Sequence, residues 1–225
     1  MKKYELTAEF IEKWGKKLFR IKALISFGNV EAGELGGYVE KEDNLAQDDN
    51  AWVHGNARVF GNARVFGNAR VCDDAEVCGN ARVFGNARVC DDARVLGNAR
   101  VCDDAEVCDD AEVFDDAEVF GNARVYGDAR VCGNARVYGD ADYLLIGRIG
   151  SRFSFTTFFK NKDKGITVSC GCFLGTIAEF RAKVSDTHGN NKHAKIYNLA
   201  ADMAELQILG EEHFENLNTN KSEPF

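Results

Sequence analysis

The sequence predicts an all-β solenoid followed by a small α+β unit at its C-terminal end. Three observations carry this prediction. From Asn50 to Asp142 the chain repeats a six-residue motif whose frame never slips. Six residues is not a helical period, because an Ala at every sixth position would wander around a helix of about 3.6 residues per turn. After Asp142 the repeat stops, and segments that favour strands and helices follow.

The repeat is built on two small apolar residues. Ala recurs every six residues from Ala51 to Ala141, and Val recurs every six residues from Val53 to Val137. In an extended chain Ala and the Val two places later point to one side, whereas the Arg or Glu between them points away. Gly-Asn or Asp-Asp follows and predicts a corner, because Gly, Asn and Asp tolerate left-handed backbone conformations. A meander of hairpins would need two alternating strand patterns, and the sequence offers one.

The repeat also resembles a known family. Val followed four places later by Ala, as at Val59 and Ala63, resembles the hexapeptide repeat of left-handed parallel β-helices. The variant with Gly-Asn or Gly-Asp before Ala is similar to the YdcK-type β-solenoid repeat, and the segments at 33–40 and 44–45 resemble the lead-in to that solenoid. The resemblance covers about residues 18–142. It implies left-handed winding with three hexads per coil.

Charge gives separate support for an 18-residue coil. Such a coil stacks Arg58, Glu76, Arg94, Glu112 and Arg130 in one column of alternating sign. Opposite charges on paired strands stabilise by a few tenths to ~1 kcal/mol, and like charges cost a similar amount. A 12-residue coil would stack Arg upon Arg. At three hexads per coil the repeat predicts about five coils, roughly 25 Å long at ~4.8 Å per coil.

Both flanks predict caps, since a solenoid ends in open sheet edges. Thr7 to Ile11 predicts a short N-terminal helix, and Leu18 to Ile25 predicts a strand. The predicted organisation is an N-terminal cap of a short helix plus strands, a solenoid, a C-terminal unit and a frayed tail, at residues 1–49, 50–142, 143–210 and 211–225.

The C-terminal unit predicts a β-hairpin and two helices. Residues 153–159 and 166–173 are rich in strand formers and are separated by a polar turn. Thr176 to Glu179 forms a capping box that opens a helix, and Gly189 ends it. A second helix is expected over about 192–209. The unit is similar to one that often accompanies such solenoids in proteins of phage or prophage type.

Composition excludes several classes of function. The net charge of −8 argues against a nucleic-acid partner. The sequence contains no run of eighteen apolar residues, so it predicts no membrane-spanning helix. The N-terminus lacks the apolar region of a signal peptide, so the eight Cys are expected as reduced thiols in the cytoplasm. We expect no cofactor and no catalytic residues. The interpretation is a non-catalytic scaffold or protein-interaction module whose partner is a protein, with self-association into a homo-oligomer included.

An acyltransferase is an alternative function. Left-handed β-helices often carry hexapeptide-type acyltransferases, which use a His at the solenoid surface, and His54 is the one His of the repeat. A γ-type carbonic anhydrase would need three His ligands and fails on that count. No loop interrupts the coils to shape an acyl-donor pocket, whereas catalysis needs a concave site with converging groups.

Two sets of residues are candidates for a metal site, and we expect no bound metal at either set. Cys170, Cys172, His188 and His193 could supply four ligands, but their spacing is not a common zinc pattern. The alternative is a pair of small residues on one face of a strand that packs on the helices.

The second set consists of paired aspartates at the corners. Stacked carboxylates ~5 Å apart repel by about 1 kcal/mol per pair in water, which a cation such as calcium would relieve. Alternatively, the aspartates form a solvent-exposed edge whose charges are screened by salt, with no bound cation. A cation-binding solenoid is therefore a second alternative function, and its residues are Asp73, Asp74, Asp91, Asp92, Asp109 and Asp110.

The residue after each Val is apolar in nearly every hexad. Strict alternation points these residues outward, where they would form an apolar ladder suited to an interface. Alternatively, the corner folds them back along the stack. The sequence leaves both possibilities open. These ladder residues are Phe60, Phe66, Cys72, Cys78, Phe84, Cys90, Leu96, Cys102, Cys108, Phe114, Phe120, Tyr126, Cys132 and Tyr138.

Overall fold

The computed structural model describes residues 2–211, and its centre is a parallel β-solenoid. Strand β3 spans Leu35–Val39 and a 3₁₀ turn at Glu42–Asn44 follows it. Two-residue strands then start every six residues. They are β4 Trp52–Val53, β5 Arg58–Val59, β6 Arg64–Val65, β7 Arg70–Val71, β8 Glu76–Val77, β9 Arg82–Val83, β10 Arg88–Val89, β11 Arg94–Val95, β12 Arg100–Val101, β13 Glu106–Val107, β14 Glu112–Val113, β15 Glu118–Val119, β16 Arg124–Val125, β17 Arg130–Val131 and β18 Arg136–Val137.

Strand pairing fixes the size of the coil. Arg58 pairs with Glu76 and Val59 with Val77, and every other parallel pair of the two-residue strands keeps this step of 18 residues. The three-hexad coil is confirmed. The three walls run β3-β5-β8-β11-β14-β17, β4-β7-β10-β13-β16 and β6-β9-β12-β15-β18. The solenoid has about six coils rather than five, because β3 and the bridge from Leu45 to Val65 begin a coil inside the predicted cap. The left-handed winding stays a prediction.

The core is the Ala and Val column that the repeat predicts. Every repeat Ala from Ala51 to Ala135 and every repeat Val from Val53 to Val137 is buried. Backbone pairing continues around the coil, since Phe60 N–H donates to the Val77 carbonyl at 3.1 Å and Asn62 N–H donates to the Gly79 carbonyl at 2.7 Å. The corners therefore leave few backbone groups to satisfy, which suits a long particle with a thin core.

The corners place either Gly or Asp in the left-handed backbone conformation. Gly85 has φ +71°, and a Cβ there would lie 2.8 Å from the Asp103 backbone nitrogen in the next coil. Asp103 takes φ +59° itself, and its carboxylate accepts a hydrogen bond of 3.1 Å from Gly121 N–H. Asp109 does the same with Gly127 N–H at 2.9 Å. An Asp corner thus offsets its strained backbone by bonding the coil that follows.

Two edges of the solenoid carry amide ladders that the sequence analysis did not foresee. Asn68 Nδ2 donates to Asn86 Oδ1 at 2.9 Å, and Asn86 Nδ2 donates to Asp104 Oδ1 at 2.8 Å. Asn80 repeats the arrangement with Asn98 on the second edge, at 2.9 Å. The third edge carries carboxylates instead. We call it the acidic edge, and it consists of Asp74, Asp92, Asp110 and Asp128.

The outward strand residues form stacked ion pairs. Glu106, Glu112 and Glu118 lie on successive strands of one coil, and each carboxylate has an Arg guanidinium on both sides along its column. The nitrogen–oxygen separations range from 3.0 Å to 3.8 Å. The column with alternating charge is as predicted, and Arg58 pairs with Glu76 at 3.2 Å within it.

The N-terminal cap is a β-hairpin, so the helix predicted over Thr7 to Ile11 is wrong. Strands β1 (Tyr4–Lys13) and β2 (Lys16–Ala23) pair antiparallel, and β2 continues antiparallel onto β3. Thr7 is a possible helix N-cap, but this local signal is outweighed by strand pairing, because Phe10 pairs across the strands with Phe19. The strand predicted over Leu18 to Ile25 is confirmed over most of its length.

Polar contacts fasten this cap to the first coils. Lys3 is buried, and its ammonium donates to the carbonyls of Asp49 at 3.0 Å and Ala51 at 2.9 Å. Lys13 forms an ion pair with the buried carboxylate of Glu76. The hairpin therefore closes the first wall and supplies a cation to the carbonyls of two residues that lie outside the strands.

The C-terminal unit is a four-stranded antiparallel sheet with two helices on one face. The hairpin and both helices are confirmed, whereas β19 and β22 were missed. Thr176 is the N-cap of α1, and Thr176 Oγ1 accepts from Glu179 N–H at 3.3 Å, as the capping box predicts. The elements are a 3₁₀ turn Asp140–Asp142, β19 Tyr143–Ile149, β20 Ser154–Lys160, β21 Ile166–Cys170, β22 Phe173–Thr176, α1 Ile177–His188 and α2 Lys192–Leu209.

The C-terminal sheet covers the last coil. Phe159 packs into the solenoid core cluster, whereas its neighbour Phe158 packs towards the helices. Arg130 N–H donates to Thr157 Oγ1 at 3.1 Å, and Ala135 forms a β-bridge with Asn161. The frayed tail predicted from residue 211 lies outside the described residues, apart from Glu211 itself.

The ladder residues lie along the stack instead of standing out from it. Phe66 and Phe84 stack with ring centroids 4.9 Å apart, and the hairpin buries Phe60. Of the ladder, Tyr138 alone is exposed, and the remaining members are buried or half-buried. The corner thus folds these side chains back, and the ladder is not an open apolar surface.

Candidate functional site

A groove of about 660 Å³ lies between one solenoid wall and the C-terminal sheet. This volume falls within the range of ~300–1,000 Å³ that is usual for ligand sites. The solenoid side consists of three residues of the acidic edge, Asp92, Asp110 and Asp128, and the outward residues of β11, β14 and β17. The residues that line the groove are Asp92, Arg94, Asp110, Glu112, Asp128, Arg130, Ser154, Phe155, Thr157, Ser169 and Gly171.

The solenoid wall of the groove carries an excess of negative charge. Asp92, Asp110 and Asp128 succeed one another one coil apart, and Glu112 adds a fourth carboxylate. Arg130 Nε binds Glu112 Oε2 at 3.0 Å, which neutralises that carboxylate in part. The aspartates of the acidic edge are closely stacked, so a cationic group that bridges them would relieve their repulsion.

The opposite wall is neutral and polar. Ser169 and Thr157 are cross-strand partners on β21 and β20, and Ser154 and Phe155 begin β20. Hydroxyl groups can donate or accept hydrogen bonds, and Phe155 offers a half-buried aromatic surface. The groove therefore combines anionic, hydroxyl and aromatic groups, a mixture typical of a surface that holds a polar chain.

The sequence analysis named some groove residues but not the groove. Asp92 and Asp110 were singled out as part of a possible cation site, while Ser154, Thr157 and Ser169 were not. The two walls are far apart in sequence, and only the packing of the sheet on the last coils brings them together. Hydroxyl residues inside the apolar strand segments at 154–157 and 166–170 were the available signal.

The inner aspartates of the corners have a structural role. Asp73, Asp91 and Asp109 occupy the left-handed corner position with φ of 58–59°. Asp91 Oδ2 accepts from Asp109 N–H at 3.2 Å in the next coil. Asp74 binds Arg58 at 3.3 Å, outside the groove.

The four Cys and His candidates lie around a small cavity of 160 Å³ in the C-terminal unit. Cys170 ends β21, but Cys172 lies in the turn after it, so the two do not share one face of a strand as expected. Cys170, Cys172 and His188 line the cavity, and His193 lies beside His188 with ring centroids 5.7 Å apart. Thr156 Oγ1 donates to Cys170 Sγ at 3.2 Å.

Within residues 2–211, one group of three potential metal ligands has all its ligand atoms within 4.8 Å of one another. It consists of Cys90, Asp91 and Cys108, and it contains neither the Cys170 and Cys172 pair nor a His. The sequence analysis placed Cys90 and Cys108 in one column but did not consider them with Asp91 as ligands.

His54 lines a cavity of 210 Å³ beside the first coils. Burial lowers the pKa of His54, the carboxylate of Glu34 opposes this shift, and Arg70 adds to it. The imidazole is therefore neutral near pH 7. Its Nδ1 lies 4.0 Å from Glu34 Oε1. The cavity is smaller than the ~300 Å³ at which ligand pockets begin, so it offers little room for an acyl donor.

These features define a capped β-solenoid repeat protein with a polar groove at its C-terminal end. The family model described as YdcK Beta solenoid repeat matches residues 57–73, 87–103 and 129–141. All three segments belong to the solenoid, so the chain is similar to that family in its repeat. No curated protein matches the chain. Over residues 2–211, neither helix is long and apolar enough to cross a membrane.

Proposed function

We propose that the chain is a non-catalytic scaffold that binds another protein in the groove between the solenoid and the C-terminal sheet. The groove is the observation that carries this proposal, because it is a large concavity that residues of both the solenoid and the C-terminal unit line. The stacked coils support the scaffold role. Their backbone hydrogen bonds and buried columns hold the solenoid wall of the groove in a fixed arrangement, which lowers the entropic cost of binding.

The charge of the groove favours a basic partner segment. Four carboxylates face two guanidinium groups among the lining residues, and the whole chain carries −8. A Lys or Arg side chain of an extended segment would lie against the acidic edge, and its backbone would meet the hydroxyl wall. Such binding weakens as salt rises, because exposed charges are screened within about 8–10 Å.

Short fluorescein-labelled peptides test this proposal. We expect a Lys-rich peptide to bind at low salt and a Glu-rich peptide of equal length to bind at least about tenfold more weakly. Asp110→Lys should weaken binding of the Lys-rich peptide by about tenfold. Asp104→Lys is the matched control, because Asp104 holds the same corner position on another edge, outside the groove. Equal effects of the two variants would contradict a groove site.

A second surface supports self-association. Ile196, Leu199, Met203 and Leu206 are exposed on α2 at spacings of three and four residues, the pattern of a coiled-coil seam. An apolar stripe of this kind marks an interface more often than open surface. We infer that two copies pair through α2.

Light scattering over a range of concentrations tests this pairing. We expect a dimer for the unchanged chain and a monomer for Leu199→Lys, because a charge enters the seam. Ser185→Lys, at an exposed position on α1, adds the same charge elsewhere and should leave the dimer intact. A clean monomer of the unchanged chain at high concentration would rule the pairing out.

We also propose a reducing, cytoplasmic location, in which the eight Cys of the chain stay reduced. An origin in a phage or prophage rests on the resemblance alone. The acyltransferase alternative has only His54 and its small cavity in its favour. The cation-binding alternative is supported by the cluster of Cys90, Asp91 and Cys108.

A further inference from the structure

Three thiols share one column of the solenoid. Cys72, Cys90 and Cys108 are 18 residues apart, and each follows the Val of a strand in the same wall. The Sγ atoms of Cys90 and Cys108 lie 2.7 Å apart. A carboxylate oxygen of Asp91 lies within 4.8 Å of both sulfurs. Two coils thus bring three ligand atoms of two chemical types to one point.

We propose that Cys90, Cys108 and Asp91 bind a thiophilic divalent cation such as Zn²⁺. This site goes beyond the proposed protein-binding groove and does not depend on it. Zinc takes thiolate sulfur at about 2.3 Å and carboxylate oxygen at about 2.0–2.2 Å. Two sulfurs held tetrahedrally at that distance are about 3.8 Å apart. The two side chains therefore need to separate by about 1 Å, which rotation about χ1 provides without moving the backbone.

The surroundings suit a cation. Cys108 is buried and Cys90 is half-buried, whereas Asp91 is exposed and gives access from solvent. Binding converts two thiols to thiolates and releases two protons for each M²⁺ bound. Water would complete a fourth position.

The chain contains a matched control for this site. Cys102 belongs to the same Val-Cys-Asp-Asp sequence as Cys90, and Asp103 follows it as Asp91 follows Cys90. The neighbours of Cys102 along its column are Phe84 and Phe120, which offer no ligand. The local sequence is therefore the same at Cys90 and Cys102, and the two positions differ in the residues of the neighbouring coils that lie beside them.

Titration of the reduced, metal-free full chain with Co²⁺ tests the proposal. We expect a sulfur-to-cobalt charge-transfer band that saturates at one ion per chain, release of two protons per ion, and loss of the band when Zn²⁺ is added. Cys90→Ser and Cys108→Ser should each remove the band, and Asp91→Asn should weaken binding by about tenfold or more. Cys102→Ser should keep the band unchanged.

Circular dichroism of each variant shows whether the solenoid is intact, and Asp91→Asn keeps the proposal testable if a Cys variant does not fold. The absence of a Co²⁺ band in the unchanged chain would overturn the proposal. So would a band that survives Cys90→Ser, which would assign it to other thiols such as Cys170 and Cys172, or a Cys90–Cys108 disulfide that persists in reductant.

Discussion

Arg136 Nε lies 3.1 Å from Glu118 Oε2 across the paired strands β18 and β15. Arg100 lies on the other side of the same carboxylate at 3.6 Å. Glu106 and Glu112 of this coil also have an Arg on each side along their columns. A ring of carboxylates therefore lies between two rings of guanidinium groups. The rings favour this register, because each carboxylate has a guanidinium group on both paired strands and opposite charges on paired strands are stabilising.

Replacing Glu118 by Arg should therefore destabilise the solenoid. Two attractive pairs become two repulsive ones, and we expect the free energy of unfolding to fall by about 1–2 kcal/mol. Urea denaturation measures the change, and the difference should shrink in high salt. Glu5→Arg, at an exposed position on β1, alters the net charge equally and serves as control. An identical loss for both variants would show that net charge, not stacking, is responsible.

Val95→Asp tests the orientation of the strands. Val95 is fully buried between Val77 and Val113, so Asp would bring an unpaired charge into a dry core at a cost of several kcal/mol. We expect the cooperative thermal transition to disappear. Arg82→Asp is the outward counterpart, and it should leave stability equal or higher because Arg64 and Arg100 flank it. A stable, soluble Val95→Asp chain would contradict the assignment of Val95 to the buried face of its strand.

Mild oxidation should link Cys90 to Cys108. Hydrogen peroxide would take two electrons and two protons from the thiols and become two waters, and the in-register spacing lies within the range a disulfide spans. The close approach of these two sulfurs favours this link over one from Cys72 to Cys90. Peptide mass mapping should find Cys102 unlinked within the chain. A dominant link between Cys72 and Cys90 would contradict the observed side-chain arrangement.

The thiols should also differ in how their alkylation depends on pH. Burial raises the pKa of Cys102 to about 11, whereas the hydrogen bond from Cys108 lowers that of Cys90. Only the thiolate reacts, so the Cys90 rate should rise first as pH increases and exceed the Cys102 rate at mildly alkaline pH. Iodoacetamide labelling followed by peptide mass analysis gives both rates. Faster labelling of Cys102 would reverse the expected order.

The repeat could be predicted from sequence because its information is local and redundant. Each hexad repeats the same alternation of inward and outward residues, so Ala, Val and the corner residues could be identified together. The charge column that contains Arg58 and Glu76 indicated the coil length. The capping box at Thr176 was equally local. Such features need only neighbours in sequence, or neighbours at a fixed interval, to be recognised.

The rest depended on contacts between distant segments. Thr7 to Ile11 has a helix-start signal, but it lies opposite β2 and pairs as a strand. Strand β19 was missed because Tyr143 to Ile149 gains its role only as the partner of β20. The groove required the sheet to dock on coils whose residues precede it by dozens of positions, and the placement of Asp91 beside two sulfurs required side-chain geometry.

The constant coil of 18 residues gives the chain a modular length. An in-frame loss of residues 79–96 would join Cys78 to Gly97 and restore the frame of every column. Duplication of the same unit would lengthen the particle by one strand spacing, ~4.8 Å. Duplication would leave the hairpin, the terminal sheet and the groove residues of the last coils in place. Tandem duplication within a gene can thus adjust the distance between the two ends in steps, while the surfaces at each end are inherited unaltered.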